Sequence, residues 1–461
     1  MPLLKRPVLK TPSAGTLLGV CLLSLSIALP LPGCVHDSGS GPARPDSAVA
    51  FVGVNVVPMD SERVLPDQTV IVRDGLIAAL GPSSAITVPK GALRIEAQGS
   101  YLMPGLSDFH IHLHSDEQLL SYLAHGVTTV FELNGTPRHL KLRDQISSHQ
   151  VLGPRLYTSS PLMDGGPEGG IVVSVNSPEQ ASREVTRQKR AGYDAIKVYD
   201  NVAPGVYETL VATARQQKLP VMGHVPRTVG VDAVLRARQA LISHGIEYFL
   251  AGSREESRIA GFALGTKAAG TSVVPDLSHL HTSLRMMEDL EGVFSDPEAR
   301  YLSPKVLSDW RYSNPTRRVD VKEFAARQRV AYPFVQHLTL SMQRAGVRLL
   351  LGTNASDAGL FPGKTVHLEL AELVQAGLSP YEALATSTRN AAAFIEEHVD
   401  PVARFGTVAV GQHADLLLLP GNPLEDVGQA GQSLGVMVRG QWLTREQLQK
   451  MRDKVARSFT R

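Results

Sequence analysis

A chain of 461 residues is longer than one compact core usually holds, so a large domain with a smaller companion is the expected plan. Apolar residues make up 43% and charged residues 20%, and the 40 glycines and 30 prolines are spread out, which excludes low-complexity architectures and extended disorder beyond the N-terminal region. Lys and Arg number 46 against 44 acids, a balance that gives no basis for nucleic-acid binding.

In residues 1–33, Lys5, Arg6 and Lys10 precede an apolar run from Leu17 to Leu31, closed by Leu31-Pro32-Gly33-Cys34. That order of charge, apolar run and small residues is an export signal. It resembles the lipobox of bacterial lipoproteins, and the resemblance implies cleavage before a lipidated Cys34 and a membrane-anchored place in a bacterial cell envelope. Pro30 and Pro32 interrupt a run already short for a membrane span of about 20 residues. Of the two cysteines, Cys21 would leave with the signal, so the mature chain could form no internal disulfide. Removing three positive charges leaves 43 basic against 44 acidic residues. Residues 34–47 are rich in Gly, Ser, Pro and Asp, as a tether would be.

From 48 to 103 the pattern is short and alternating: Ala50–Val54, Thr69–Val72, Leu76–Leu80 and Leu93–Ile95 read as strands of a small antiparallel unit. The same texture returns between 401 and 461, in Gly406–Val410, Asp415–Leu419 and Val436–Gly440. One small β-sandwich built from both ends is the economical reading. Between them, residues 104–400 alternate short apolar strands with helical stretches, the habit of parallel βα units. Strand candidates centre on Ile111, Thr129, Leu156, Ile196, Met222, Leu241, Val273 and Leu350. Eight such units make a (β/α)8 barrel, an α/β TIM barrel with catalytic groups at the C-terminal strand ends. Ser379-Pro380-Tyr381-Glu382 is a capping box that starts a helix running to about Ile395.

An HxH pair alone is weak evidence, because 15 histidines supply roughly half of one such pair by chance. His112-Leu113-His114 and His279-Leu280-His281 share the spacing. Position separates them: His110 and His112 sit on the first barrel strand, where alternate residues face one way. Lys197, in Ala195-Ile196-Lys197-Val198-Tyr199, lies close to three repeats of about 30 residues further on, and His224 one more. His244 ends a short sixth unit. Four strand ends thus carry His, His, Lys, His and His, and a lysine can join a metal site only as a carbamate, since its ammonium has no lone pair.

Pro104-Gly105-Leu106-Ser107-Asp108-Phe109-His110-Ile111-His112, the strand with Lys197, His224, His244 and the closing Gly411-Gln412-His413-Ala414-Asp415-Leu416 together resemble the amidohydrolase superfamily, closest to its imidazolonepropionase and Xaa-Pro dipeptidase-like branch. The resemblance implies a binuclear site of two divalent metal ions, usually zinc: His110 and His112 on one, His224 and His244 on the other, and carboxylated Lys197 on both. A metal-bridging hydroxide would attack an amide carbonyl, and an acid at the end of strand eight would move its proton.

Strand eight departs from that pattern. It reads Gly352-Thr353-Asn354-Ala355-Ser356-Asp357, with Asn354 where the family has the aspartate. An asparagine amide can offer its oxygen to a metal but cannot shuttle a proton. Two readings follow. Asp357 in the adjoining loop serves as the base, or the barrel is catalytically silenced and keeps its pocket for binding. A third, a mononuclear deaminase, is opposed by Lys197. The leading expectation is a hydrolase of a C–N bond in a dipeptide, short peptide or cyclic amide, with Tyr199, Asn134 and Arg155 as substrate contacts. About 50 residues beyond plain barrel units fall near strand seven, within 251–335, and Arg285–Arg318 reads equally as a lid over the site or as a surface excursion. Expected partners are a small-molecule or short peptide substrate and the membrane through Cys34, with a homo-oligomer left open.

Overall fold

The computed structural model describes residues 48–167 and 172–459. The expected signal segment, Cys34 and the tether lie outside them. Five strands open the described chain: β1 (Val49–Val56), β2 (Leu65–Arg73), β3 (Leu76–Pro82), β4 (Leu93–Glu96) and β5 (Tyr101–Pro104). Eight parallel strands follow, β6 (Leu106–Ile111), β7 (Val127–Glu132), β8 (Arg155–Asp164), β9 (Val172–Ser174), β10 (Ala195–Val198), β11 (Val221–Gly223), β12 (Leu241–Ile242) and β13 (Ser272–Val273). The chain then returns through β14 (Leu416–Leu419), β15 (Gly435–Val438) and β16 (Gln441–Thr444) to the first sheet.

That sheet runs β16-β15-β14-β5-β1-β2-β3, with β4 also on β1. Both chain ends therefore build it. It is mixed rather than antiparallel: β1 pairs in parallel with β4 and β5, because the chain after β3 crosses over instead of turning back as a hairpin. Alternate residues Phe51, Val70, Leu102, Leu416 and Met437 share one buried cluster. Phe51 on β1 meets Trp442 on β16 edge-on at 5.2 Å, so the sheet folds over its own core. The expected strand Gly406–Val410 does not form. Gly406 takes φ +82, and a Cβ there would strike Ala392 and the Thr388 carbonyl, while Val408 donates its N–H to the Pro58 carbonyl and adds its side chain to the same core.

The barrel order is β13-β12-β11-β10-β8-β7-β6, with β9 on β8. Residues 348–355 take the eighth place. Val273 pairs with Leu349, Ile111 with Ala355, and Phe109 N–H donates to the Leu351 carbonyl at 2.8 Å. Barrel strands thus lie at all eight centres read from the sequence. The capping box at Ser379 and Glu382 is present, but its helix ends at Thr386 and a second runs Arg389–His398. Ser387 breaks it: its hydroxyl donates to the Ser107 carbonyl at 2.8 Å and its own carbonyl accepts the Ser107 N–H, tying the break to β6. No helix among the described residues is long and apolar enough to cross a membrane.

Segment 251–335 contains β13 itself and the start of the long helix Val321–Arg344. Between them, Phe294, Leu302, Val306 and Trp310 form a separate apolar cluster with Ala358 and Phe361 from the loop after strand eight. The segment Arg285–Arg318, read as a lid or a surface excursion, is a buttress: its apolar side chains bury one another against that loop, and none of its residues lines the central cavity. The C-terminal helix Arg445–Ser458 braces this segment. Arg452 pairs with Glu298 and lies 3.7 Å from the Tyr301 ring centre, while Arg300 and Tyr301 both bond Asp453.

Burial pushes the Glu298 carboxyl up, but His125 and Arg452 outweigh it and hold it at about 2. A depressed carboxylate contributes stability that is present above the ordinary value of 4.5 and lost as pH falls toward 2. Arg452→Ala should lower stability by about 2 kcal/mol at neutral pH, with the difference shrinking in acid below that ordinary value. Thermal unfolding across pH checks both.

Candidate metal centre

His110 lies at the end of β6 and His112 just beyond it, and both side chains line the barrel mouth. His110 is 1% exposed, with Nδ1 3.3 Å from the Ser243 carbonyl. Lys197 on β10 is equally buried, and Nζ donates to Ser243 Oγ at 3.2 Å. Gly223 lets it pass: φ is +129, and a Cβ there would sit 3.1 Å from Lys197 Cδ and 2.2 Å from the Val198 carbonyl. His224 follows β11 and His244 follows β12. Ring centres lie 4.6 Å apart for His110 and His244, 4.8 Å for His224 and His244, and 5.2 Å for His110 and His112. The five expected ligands line one cavity of about 680 Å³, together with Asn134, Tyr199, Asn354 and Asp357.

Behind three of the imidazoles stands a carboxylate. His224 Nδ1 is 2.8 Å from Asp200, His244 Nδ1 is 2.6 Å from Asp276, and His112 Nδ1 is 3.6 Å from Glu132. A carboxylate on Nδ1 selects the tautomer that leaves Nε2 with a free lone pair, the arrangement found behind metal-bound histidines. Two sets of groups bring their candidate ligand atoms within 4.8 Å of one another: His110, His244 and Asp276, and Asp200, His224 and Glu247. None of these acids stood out in the sequence. A single acid just past a strand looks the same whether it caps a turn or faces a site.

Burial sets the charge state. His110 is driven far below the usual imidazole range by burial and by Lys197 and its neighbouring rings. His224 goes the same way, burial outweighing Asp200. Burial brings Lys197 down to about 7 despite Glu247 and Asp276. These groups therefore offer lone pairs near neutral pH, as metal ligation requires. A neutral lysine amine could also add carbon dioxide to become a carbamate, and the donor set fits divalent metal ions. Burial lowers His112 as well, but Glu132 and Asp357 outweigh it and raise it.

Strand eight is cross-linked to β6. Asp108, raised by burial to about 7, accepts the N–H of His110 and of Thr353 and the Thr353 hydroxyl at 2.6 Å. Asn354 N–H donates to the His110 carbonyl at 2.7 Å. The Asn354 amide donates to Asp357 at 3.0 Å, so the two residues weighed for the missing acid form one unit, Asn354 buried and Asp357 exposed. Trp310 Nε1 donates to the Ser356 carbonyl at 3.0 Å and fixes the loop from outside. Tyr199 lies against His224 with ring centres 4.2 Å apart and planes tilted by 41°, and Asn134 holds a buried side-chain oxygen without a partner. Arg155 is not at the site. It begins β8 and so lies at the opposite end of the barrel, 3.5 Å from Asp415.

Residues 101–443 match the model of the amidohydrolase family. The chain belongs to that family. Among curated relatives, an adenine deaminase from Paracoccus denitrificans is 35% identical over 19% of this chain, and the aligned stretch spans only 16% of that enzyme. An ochratoxinase from Aspergillus niger is 23% identical over 82% of both chains. Among solved structures, a protein assigned as a prolidase from Bifidobacterium longum superposes with a TM-score of 0.70 at 25% identity, covering 89% of this amidohydrolase and all of its own chain.

Removing the Trp310 hydrogen bond while keeping an aromatic ring should loosen the loop of Asp357 while the barrel stays folded. Trp310→Phe should cost about tenfold in kcat, the equivalent of one hydrogen bond. Steady-state kinetics with a thermal-unfolding control checks this.

Proposed function

We propose that this amidohydrolase hydrolyses a C–N bond in a dipeptide, a short peptide amide or a cyclic amide. The observation that carries the reading is the convergence of His110, His112, Lys197, His224 and His244 on one cavity, with the ring nitrogens of His110 and His224 buried and deprotonated. Two divalent ions, zinc by donor type, would supply a polarised carbonyl and an acidified water when bound there. His110 and His112 would hold one, His224 and His244 the other, and Lys197 as a carbamate both.

The chain's own residues account for the rest. Asp357, at the cavity wall and exposed, is placed to accept a proton from the attacking water and return it to the leaving nitrogen. Asn354 holds that carboxylate by its amide. Tyr199 stays a phenol, since burial and nearby carboxylates raise it to about 12, so it can donate a hydrogen bond to substrate oxygen. Arg227 is committed to Asp200 and Glu247. Arg327, against the Phe324 ring at the cavity wall, is the cation placed to meet a substrate carboxylate.

Purified chain reconstituted with zinc and bicarbonate should bind two ions and hydrolyse members of a dipeptide panel. Asp357→Asn should lower kcat by about 10²-fold or more with metal retained. Should Asp357→Asn match the natural chain while Asn354→Asp creates activity from none, the reading of a working hydrolase fails.

Lys197 adds a pH test. Its folded value of about 7 lies below the ordinary 10.5, so between them the unfolded chain binds the extra proton and stability of the metal-free protein rises with pH. Thermal unfolding should show that rise, and Lys197→Met should abolish it. The envelope anchor belongs to the same proposal: Cys34→Ala should move the protein from the membrane fraction to the soluble one.

A further inference from the structure

Asp276 precedes the helix Leu277–Glu288, a position where aspartate ordinarily turns its carboxylate onto the first free backbone N–H groups. Here it does not. Leu277 N–H and Ser278 N–H donate to the two oxygens of Glu369, at 3.1 and 2.6 Å, from the helix Lys364–Gln375. The Asp276 backbone is left-handed, φ +57, a conformation that a short polar residue tolerates and that frees its side chain from the helix.

The carboxylate is thereby turned into the barrel, 2% exposed. Oδ2 serves His244 Nδ1 at 2.6 Å and His279 Nδ1 at 3.3 Å. Oδ1 is buried with no hydrogen-bond partner. A buried carboxylate oxygen left without a donor or a cation is costly. Ligand atoms of His110 and Asp276 lie within 4.8 Å of one another, and a divalent cation is the group that would satisfy both. Strand eight meanwhile offers Asn354 where an aspartate is expected.

We propose that Asp276, from the end of strand seven, is the carboxylate ligand that strand eight lacks: Oδ1 binds the ion held by His110 while Oδ2 keeps His244 oriented toward the other. This rests on the two-metal reading above. It assigns a ligand to a strand end that the HxH, lysine and histidine pattern leaves out.

The test uses the full chain, stripped of metal and titrated with cobalt(II). The natural chain and Asp357→Asn should each take up two equivalents, and Asp276→Asn should bind one of them roughly tenfold or more weakly. A carboxylate that only orients His244 could produce that loss too, so Asp276→Cys decides. A thiolate bonded to cobalt gives a near-ultraviolet charge-transfer band, and that band should appear. Its absence overturns the proposal, as does an Asp276→Asn titration matching the natural chain. A natural chain that takes up no cobalt overturns the two-metal reading itself, a result distinct from either.

Discussion

Four imidazoles and an amine share one enclosed space, and they cannot all carry a proton there. Burial penalises each cation, and each protonated neighbour penalises the next, so His110, His224 and Lys197 are pushed toward their neutral forms. Meanwhile Glu132, Asp200 and Asp276 stand directly behind the rings. Arg227 is shared between Asp200 and Glu247. Lone pairs backed by carboxylates are the surroundings that small divalent cations complement.

Holding that cluster together is a matter of barrel closure. Strand eight has no continuous ladder, so its place depends on point contacts: Asp108 with Thr353, the His110 carbonyl with Asn354, and Val273 with Leu349. The segment 290–320 strengthens the same seam from outside through Trp310 and its cluster, and the C-terminal helix braces that segment through Arg452 and Asp453. The C-terminal helix and the segment 290–320 therefore act on the site through one loop, 354–361.

The barrel and its basic residues were legible because a repeat of about 30 residues sends His110, Lys197, His224 and His244 to equivalent strand ends. Nothing comparable marks the acids. Asp200 and Asp276 each follow a strand singly, and only the tertiary fold shows that Glu369 has taken over the helix N-terminus and left Asp276 free. Arg155 was misplaced for a geometric reason: β8 runs from Arg155 to Asp164, so a residue near its expected centre stands at its beginning. Gly406–Val410 has the alternation of a strand, yet its backbone turns at Gly406. The helix after Ser379 was interrupted by a contact between Ser387 and Ser107, residues far apart in the chain.

One strand-eight aspartate would combine two tasks, binding a metal and moving a proton, and the tasks want opposite surroundings. A ligand carboxylate is served by burial, where its charge is answered by the cation and held in place. A proton shuttle needs contact with water, since it must reset between turnovers. Asp276 is 2% exposed and already engaged by two imidazoles, so it suits the first task and is poorly placed for the second. Asp357 is exposed and steadied by the Asn354 amide, which suits the second. On this view Asn354 marks a division of labour rather than a lost function, because its amide can donate to Asp357 where a second carboxylate would repel it.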